Sequence, residues 1–514
     1  MASVCILDEF EVHKNEKFLR IAEELKPELH TADILPERII KTAENEKSEL
    51  EVCEEESPDK LKEKHLNAGE SVILDFGNHH VGYVTLDLGS FGSHQDAPAY
   101  IYLKFAERLD ELGAETDSYN GWISKGWIQE EYLHIDVLPT KLKLPRRYAF
   151  RYLEIRVLAV SLKFSLVVNE VKAESVSAVS EKEVSMLRTE DELLKKIDAV
   201  SIRTLKNCMQ LVFEDGPKRD RRRANYKTFH NTDMVKRCLY LFGGLTFNEG
   251  KLAACLFLEP EIEPDDTYLF DYALLYGSVV LDYYRATGDK DTLNDLYPIA
   301  IRQIEIGLTY LNEEGIVPDH SGEFWCFVDW GEGLNTQAAS LAILIYSMRY
   351  GIRLAEYMKD EKTIQWLTEK MEVLKQSAVE HFWDEEQKLF VSGAERQVSW
   401  ATQVWMVLAR VFDKEKNRKL ILHTIEVNPR IRMVTPYMYH HYIDALIRSD
   451  EKERALYEMR RYWGEMIHDG ADTFWELYNP YNKYESPYGS VAVNSFCHAW
   501  SCTPTYFLRK FYLV

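Results

Sequence analysis

Apolar and polar residues alternate with a period of two from Ser71 onward. Val72-Ile73-Leu74-Asp75-Phe76-Gly77 reads as a strand entering a turn, and Gly82-Tyr83-Val84-Thr85-Leu86-Asp87-Leu88-Gly89 as a second strand. Ala99–Ala106, Tyr148–Val157 and Leu162–Val168 follow the same rule, with β-branched and aromatic residues between Gly and Pro turns. Short alternating strands separated by turn residues predict an antiparallel β-sandwich over 71–180. Residues 1–70 are mixed. Glu44–Lys64 is dense in Glu and Lys, which predicts exposed loop or linker between short extended pieces.

At Ser185 the period becomes 3.6. Thr189 and Glu192 have the spacing of a capping box. Leu194, Ile197, Ser201, Leu205, Cys208 and Val212 then share one helical face. Asp233 is the expected cap of the next helix, and a further helix through Phe270 and Tyr284 should stop at Thr287-Gly288-Asp289. Others fit Leu293–Leu308, Ala338–Tyr357, Ile364–Ala378, Thr402–Val411, Tyr437–Ile447, Glu451–Ile467 and Ser495–Phe511. Between helix pairs lie aromatic, acidic loops: Phe324–Trp330, Phe382–Glu385 and Phe474–Tyr478. Helix, aromatic-acid loop, helix in recurrence predicts a ring of helical hairpins over 181–514, with loops converging on one mouth. A solenoid is the rival, but the segments show no fixed repeat period.

Composition narrows the classes. A chain of 514 residues with 46% hydrophobic and 28% charged residues is too long for one core and too apolar for disorder. The net charge of −22 argues against a nucleic-acid partner, because that affinity rests on cationic neutralisation of phosphates. Acidic residues Asp8, Glu9 and Glu11 interrupt the first apolar residues, and no apolar run reaches membrane-spanning length. The eight Cys are scattered without a C-x-x-C pair or zinc spacing, which predicts reduced core thiols, no metal and a cytoplasmic protein.

The densest chemistry is in Glu214-Asp215-Gly216-Pro217-Lys218-Arg219-Asp220-Arg221-Arg222-Arg223. Gly-Pro bends the chain between two acids and aims side chains into a common space; the competing reading is a solvated turn whose charges pair among themselves. Glu476 sits between Trp475 and Tyr478, where desolvation raises a carboxyl's pKa unless a cation offsets it. Asp329 lies in a similar setting beside Trp330. His498 is more often structural than chemical on a helix, and Asp271 on an apolar helix face suits a core hydrogen bond as well as a ligand. The 12% aromatic content, with 30 Tyr and 11 Trp, serves either a large core or stacking on sugar rings. Acids on aromatic loops suggest sugar, and glycoside cleavage needs two carboxyl groups, held about 6.5–9.5 Å apart in inverting enzymes.

Four segments in order resemble the α-L-rhamnosidases of glycoside hydrolase family 78. Asp215-Gly216-Pro217-Lys218-Arg219-Asp220 is similar to their Asp-x-Pro-x-Arg-(Asp/Glu) signature, and Thr473-Phe474-Trp475-Glu476 to their Thr-x-Trp-Glu. Leu74–Gly77 with Val81-Gly82-Tyr83 and Phe105-Ala106-Glu107 is similar to the sandwich preceding their catalytic domain, and Asp329-Trp330 to a further element. The resemblance implies an (α/α)6 barrel, inversion of configuration and no cofactor. It implies Asp220 as general acid and Glu476 as general base, with Asp215, Asp329 and Trp330 holding the rhamnose ring. Trp475 and His498 would be close by, and Arg219 would orient carboxylates or bind a hydroxyl. The chain departs from the pattern after Arg223. The family continues roughly Trp-x-Gly-Asp, whereas Ala224-Asn225-Tyr226-Lys227-Thr228 follows here and the segment is shorter.

The expected function is thus release of terminal α-L-rhamnose from short glycosides. The alternatives are another six-hairpin glycosidase, such as an unsaturated glucuronyl hydrolase, and a non-catalytic sugar-binding relative, which the shortened segment motivates. A homodimer is expected only on the general ground that symmetric pairs are the commonest assemblies.

Overall fold

The period-two region forms strands that pair antiparallel into a ten-stranded sheet. The computed structural model describes residues 10–180, 184–219, 231–319 and 324–512. An antiparallel sheet domain comes first and a helical domain follows. The chain divides into two compact units: Pro27–Ala224 with Trp463–Val514, and Met1–Lys26 with Asn225–Tyr462.

In the sheet-bearing unit, Ser71–Gly92 is one strand of 22 residues. Its first part pairs with Tyr148–Ala159 and Arg38–Glu44, and its second part with Phe164–Ser177 and Thr140–Lys143. Val72, Leu74, Phe76, Val84, Leu86 and Leu88 alternate along it, and all enter one apolar core with Leu103, Phe105, Phe150, Leu153 and Leu166. The turn expected at Gly77 is a wide bulge within this strand instead: the partners of Phe150 and Tyr152 are His80 and Asp75. Gly77 supplies the φ of 78° that the bulge needs. Strands enter the sheet already at His30–Ile34, Arg38–Glu44 and Leu50–Glu56, so the sheet domain begins well before 71. The charged composition of Glu44–Lys64 misled because Leu50–Glu56 pairs with Arg38–Glu44 at the sheet margin with its side chains mostly exposed.

The helix Glu192–Cys208 packs its expected face inward, with Leu194, Ile197, Ser201, Leu205 and Cys208 buried. Its cap is Asp191, which accepts from Leu194 N at 3.1 Å, rather than Thr189, which accepts from Asp191 N. The expected helix Ser495–Phe511 is mostly absent: only Thr503–Phe507 is α-helical, followed by the wider turns of Leu508–Tyr512. Residues 495–498 are not helical because their backbone groups bond across to other segments, as described below.

In the other unit, hairpins follow the predicted periods. Phe270–Thr287 stops on Gly288 at φ 71°, and Asp289 opens Lys290–Thr309 by accepting from Thr292 N at 3.0 Å. Gln337–Met358 with Glu361–Phe382, and Trp400–Ala409 with Lys414–Val427, make further pairs. Pro436–Arg448 follows and leads to Lys452–His468. Asn231, not Asp233, caps Thr232–Gly244. Among the described residues, no helix is long and apolar enough to cross a membrane.

Candidate active site

The loop after Glu192–Cys208 is shaped by local bonds. Glu214 N donates to Cys208 O at 2.8 Å, and the Glu214 carboxylate takes Arg147 Nη2 at 2.7 and 2.9 Å. Gly216 N donates to Asp215 Oδ1 at 2.8 Å. A Cβ at Gly216 would fall 2.6 Å from Ser495 Oγ, so glycine is what lets this loop approach the C-terminal segment. Ala499 N, in turn, donates to Asp215 O at 2.7 Å. Lys218 and Arg219, expected on a solvated or site-lining turn, are buried.

The C-terminal segments 473–476 and 495–498 lie side by side. Glu476 N donates to Ser495 O at 3.0 Å, His498 N to Phe474 O at 2.9 Å, and Thr473 Oγ1 to Phe496 O at 2.8 Å. Phe474 N donates to Thr204 Oγ1 on the preceding helix at 2.8 Å. These bonds fix Glu476 in place. Its Oε2 accepts from Arg219 Nη2 and its Oε1 from the Tyr488 hydroxyl. The Arg219 guanidinium also lies 4.2 Å from the Tyr488 ring centroid, and its Nε donates to Val493 O at 3.0 Å. Glu476 is only 5% exposed. Each carboxylate oxygen can accept two hydrogen bonds, so a carboxylate held by two donors keeps capacity for a water. The cation beside Glu476 is therefore Arg219.

Behind Arg219 is a second charge cluster. Lys218 Nζ donates to Glu111 Oε2, lies 3.7 Å from Glu107 Oε2 and donates to Asn494 O at 3.0 Å. Glu107 Oε2 accepts from Phe496 N at 2.7 Å, and Glu107 Oε1 lies 2.9 Å from His79 Nε2. The strand bulge aims His79 inward, where Asn207 Nδ2 meets its Nδ1 at 2.8 Å. Burial pushes Glu107 and Glu111 up to about 7 against the pull of Lys218, and pushes His79 down to about 4.

Trp475 is 2% exposed, with Arg108 over its ring at 4.3 Å and Tyr478 and Phe496 edge-on. That placement makes it support for Glu476 and leaves no open face for a sugar. His498 is buried beside Trp500, ring centroids 4.1 Å apart, on extended backbone rather than on a helix. Asp220 and the departure at 224–228 lie outside the described residues.

Asp329 and Trp330 belong to the other unit. Asp329 follows Val328, whose φ is 55°, and accepts from Trp330 N, Val434 N, Thr435 N and Thr435 Oγ1 at 2.7–3.1 Å. Burial raises it to about 7. Asp271, raised to about 6, accepts from Phe327 N and Val328 N, so both acids brace the 324–330 loop. Trp330 is half-buried, 5.0 Å from Phe327. The described cysteines are free thiols; Cys53 is exposed, against the expectation of a core thiol, the others are buried, and burial pushes those at 208, 326, 497 and 502 up. Among the described residues, no group of three or more His, Cys, Asp or Glu is placed to hold a metal.

Residues 36–175 match the model of the glycosyl hydrolase family 78 α-rhamnosidase N-terminal domain, and residues 182–511 that of the bacterial α-L-rhamnosidase six-hairpin glycosidase domain. The chain belongs to the α-L-rhamnosidases of glycoside hydrolase family 78. It is accordingly a glycoside hydrolase. A solved rhamnosidase from Klebsiella oxytoca, with rhamnose bound, is 40% identical over 98% of this chain and 99% of that one, with a TM-score of 0.94. The family 78 rhamnosidase of Bacillus sp. GL1 is 20% identical over 86% of this chain and 46% of its own, TM-score 0.70. The α-L-rhamnosidase of Dictyoglumus thermophilum is 17% identical over 94% and 52%, TM-score 0.63. These last two likenesses speak to fold alone. No curated protein matches the chain.

Tyr488, Glu107, Glu111 and His79 were missed as site-supporting residues. Phe105-Ala106-Glu107 stood out only as part of a resemblance. Nothing in spacing marks a tyrosine twelve positions after Glu476 as its partner.

Proposed function

We propose that the chain releases terminal α-L-rhamnose from short glycosides with inversion of configuration. Asp220 protonates the glycosidic oxygen as the aglycone departs. Glu476 takes a proton from the water that attacks the anomeric carbon from the opposite face, yielding β-L-rhamnose and a free hydroxyl on the aglycone. The observation that carries this reading is Glu476 itself, an acid of the expected motif held from both oxygens by Arg219 and Tyr488. Two donors in a buried setting fix the direction of its lone pairs, which a general base needs.

Further parts of the reading stand with it. The helical hairpins close into an (α/α)6 barrel, and the catalytic domain begins near 181, between the two family-model matches. Asp215, Arg219, Trp330 and His498 serve rhamnose binding, Arg219 and His498 from largely buried positions. Asp329 serves the same binding by holding, with its four hydrogen bonds, the loop that carries Trp330. The reaction needs no cofactor, the protein works in the cytoplasm, and it pairs as a homodimer. The relative with bound rhamnose supports the choice of sugar over a uronic acid.

The test is rhamnose release from an aryl α-L-rhamnoside by the wild type, Asp220→Asn and Glu476→Gln. Each variant should lose at least ~100-fold in kcat, the lower range for a positioned acid or base. Wild-type rates in both would remove these residues from the mechanism. Rhamnose binding without turnover by the wild type would favour the non-catalytic alternative, for which the short segment after Arg223 speaks.

A further inference from the structure

The loop between strands Ala99–Ala106 and Glu130–Ile135 is tied at its tip to the segment that carries Tyr488. Trp122 Nε1 donates to Pro487 O at 3.0 Å, and the Tyr119 hydroxyl donates to Tyr488 O at 3.1 Å. Gly121 stands between them, where a Cβ would fall 2.3 Å from Tyr488 O. Only glycine permits that approach. The loop is thus built against Tyr488 and does not merely pass it.

Trp122 remains 56% exposed all the same. Its indole lies 5.3 Å from the Tyr488 ring, tilted by 51°. Its N–H is already spent on Pro487, so its exposed part offers ring carbon rather than a polar donor. Tyr488 reaches Glu476 through its hydroxyl and carries Arg219, the residue before Asp220, over its ring. One aromatic ring therefore separates an exposed indole from both segments assigned to the reaction. An indole face binds the apolar face of a ring, aryl or sugar.

We propose that Trp122 is the platform for the aglycone, and that it takes flat aryl or glycosyl leaving groups. The proposal rests on the rhamnosidase reading above. It gives a role to a sheet-domain loop in choosing which rhamnosides are bound.

The experiment compares two ligands that share the rhamnose ring and differ in the aglycone. KM is measured for 4-nitrophenyl α-L-rhamnoside, and the inhibition constant for free L-rhamnose, in wild type, Trp122→Ala, Trp122→Phe and Tyr119→Phe. Loss of one stacking surface should raise the KM of Trp122→Ala by roughly tenfold. Its inhibition constant for rhamnose should stay within about twofold, and Trp122→Phe should recover most of the loss. Tyr119→Phe removes a bond to the same backbone without removing the platform, so it should leave KM near wild type. The proposal is overturned if both constants shift together in Trp122→Ala, if Tyr119→Phe reproduces its effect, or if neither constant moves. A wild type that releases no rhamnose from the aryl substrate would sink the functional reading instead, which separates the two failures.

Discussion

Replacing Lys218 by Met tests the buried charge cluster behind Glu476. Lys218 is 2% exposed, and its ammonium is the cation set between Glu107 and Glu111. Those carboxyls, near pKa 4.3 in an unfolded chain, are held up to about 7 in the fold by burial. Between those values the folded state binds protons that the unfolded state has released. Their contribution is therefore fully present below about pH 4.3 and is lost as pH rises through 7. Without the ammonium both carboxyls move further up, and above pH 7 the fold must keep them protonated or bear unpaired buried charge. Breaking a buried pair from one side costs about 3–5 kcal/mol. At pH 5 the acids are largely neutral and the main loss is the bond to Asn494 O, about 1 kcal/mol. Denaturant unfolding of wild type and Lys218→Met, followed from pH 5 to 8, should show a deficit growing from about 1 to about 3–5 kcal/mol. A deficit that is the same at every pH would refute the reasoning, because it would mean that Lys218 contributes only packing.

Other expectations are simpler. Gly216→Ala places a Cβ 2.6 Å from Ser495 Oγ, so the loop must shift away from the Glu476 segment. Rhamnoside turnover should fall about 100-fold, as small misplacements of reacting groups do, while unfolding changes by less than about 2 kcal/mol; an active variant would show that the two segments need not touch. Asp329→Asn turns one acceptor oxygen into a donor facing Val434 N or Thr435 N, and should cost about 1–3 kcal/mol in denaturant unfolding; no change would mean that the 434–435 backbone is satisfied otherwise.

Much of the architecture was legible because periodicity is local. Phe270–Thr287 and its stop at Gly288 follow from spacing and one glycine. The Ser495–Phe511 reading failed for the opposite reason: apolar spacing there mimics a helix, while Glu476, Phe474 and Glu107 claim the backbone of 495–498. The bulge at Gly77 looked like a turn because both need a positive φ at glycine. In the site, Glu476 and Arg219 could be named from short motifs, but their pairing could not. Tyr488, His79, Glu107 and Glu111 reach this cluster only through the fold, from a loop, a bulge and a strand end. Trp475, expected close to the rhamnose, faces Arg108 instead, because aromatic residues beside an acid look alike in sequence whether they face a ligand or a protein side chain.

The most direct measurement is the anomeric configuration of the sugar as it is first released. Proton NMR of an aryl α-L-rhamnoside, recorded within the first turnovers and before mutarotation, should show β-L-rhamnose appearing ahead of the α-anomer, with Glu476→Gln releasing neither. The α-anomer appearing first would contradict the account, since it would require a covalent intermediate in place of a water activated by Glu476.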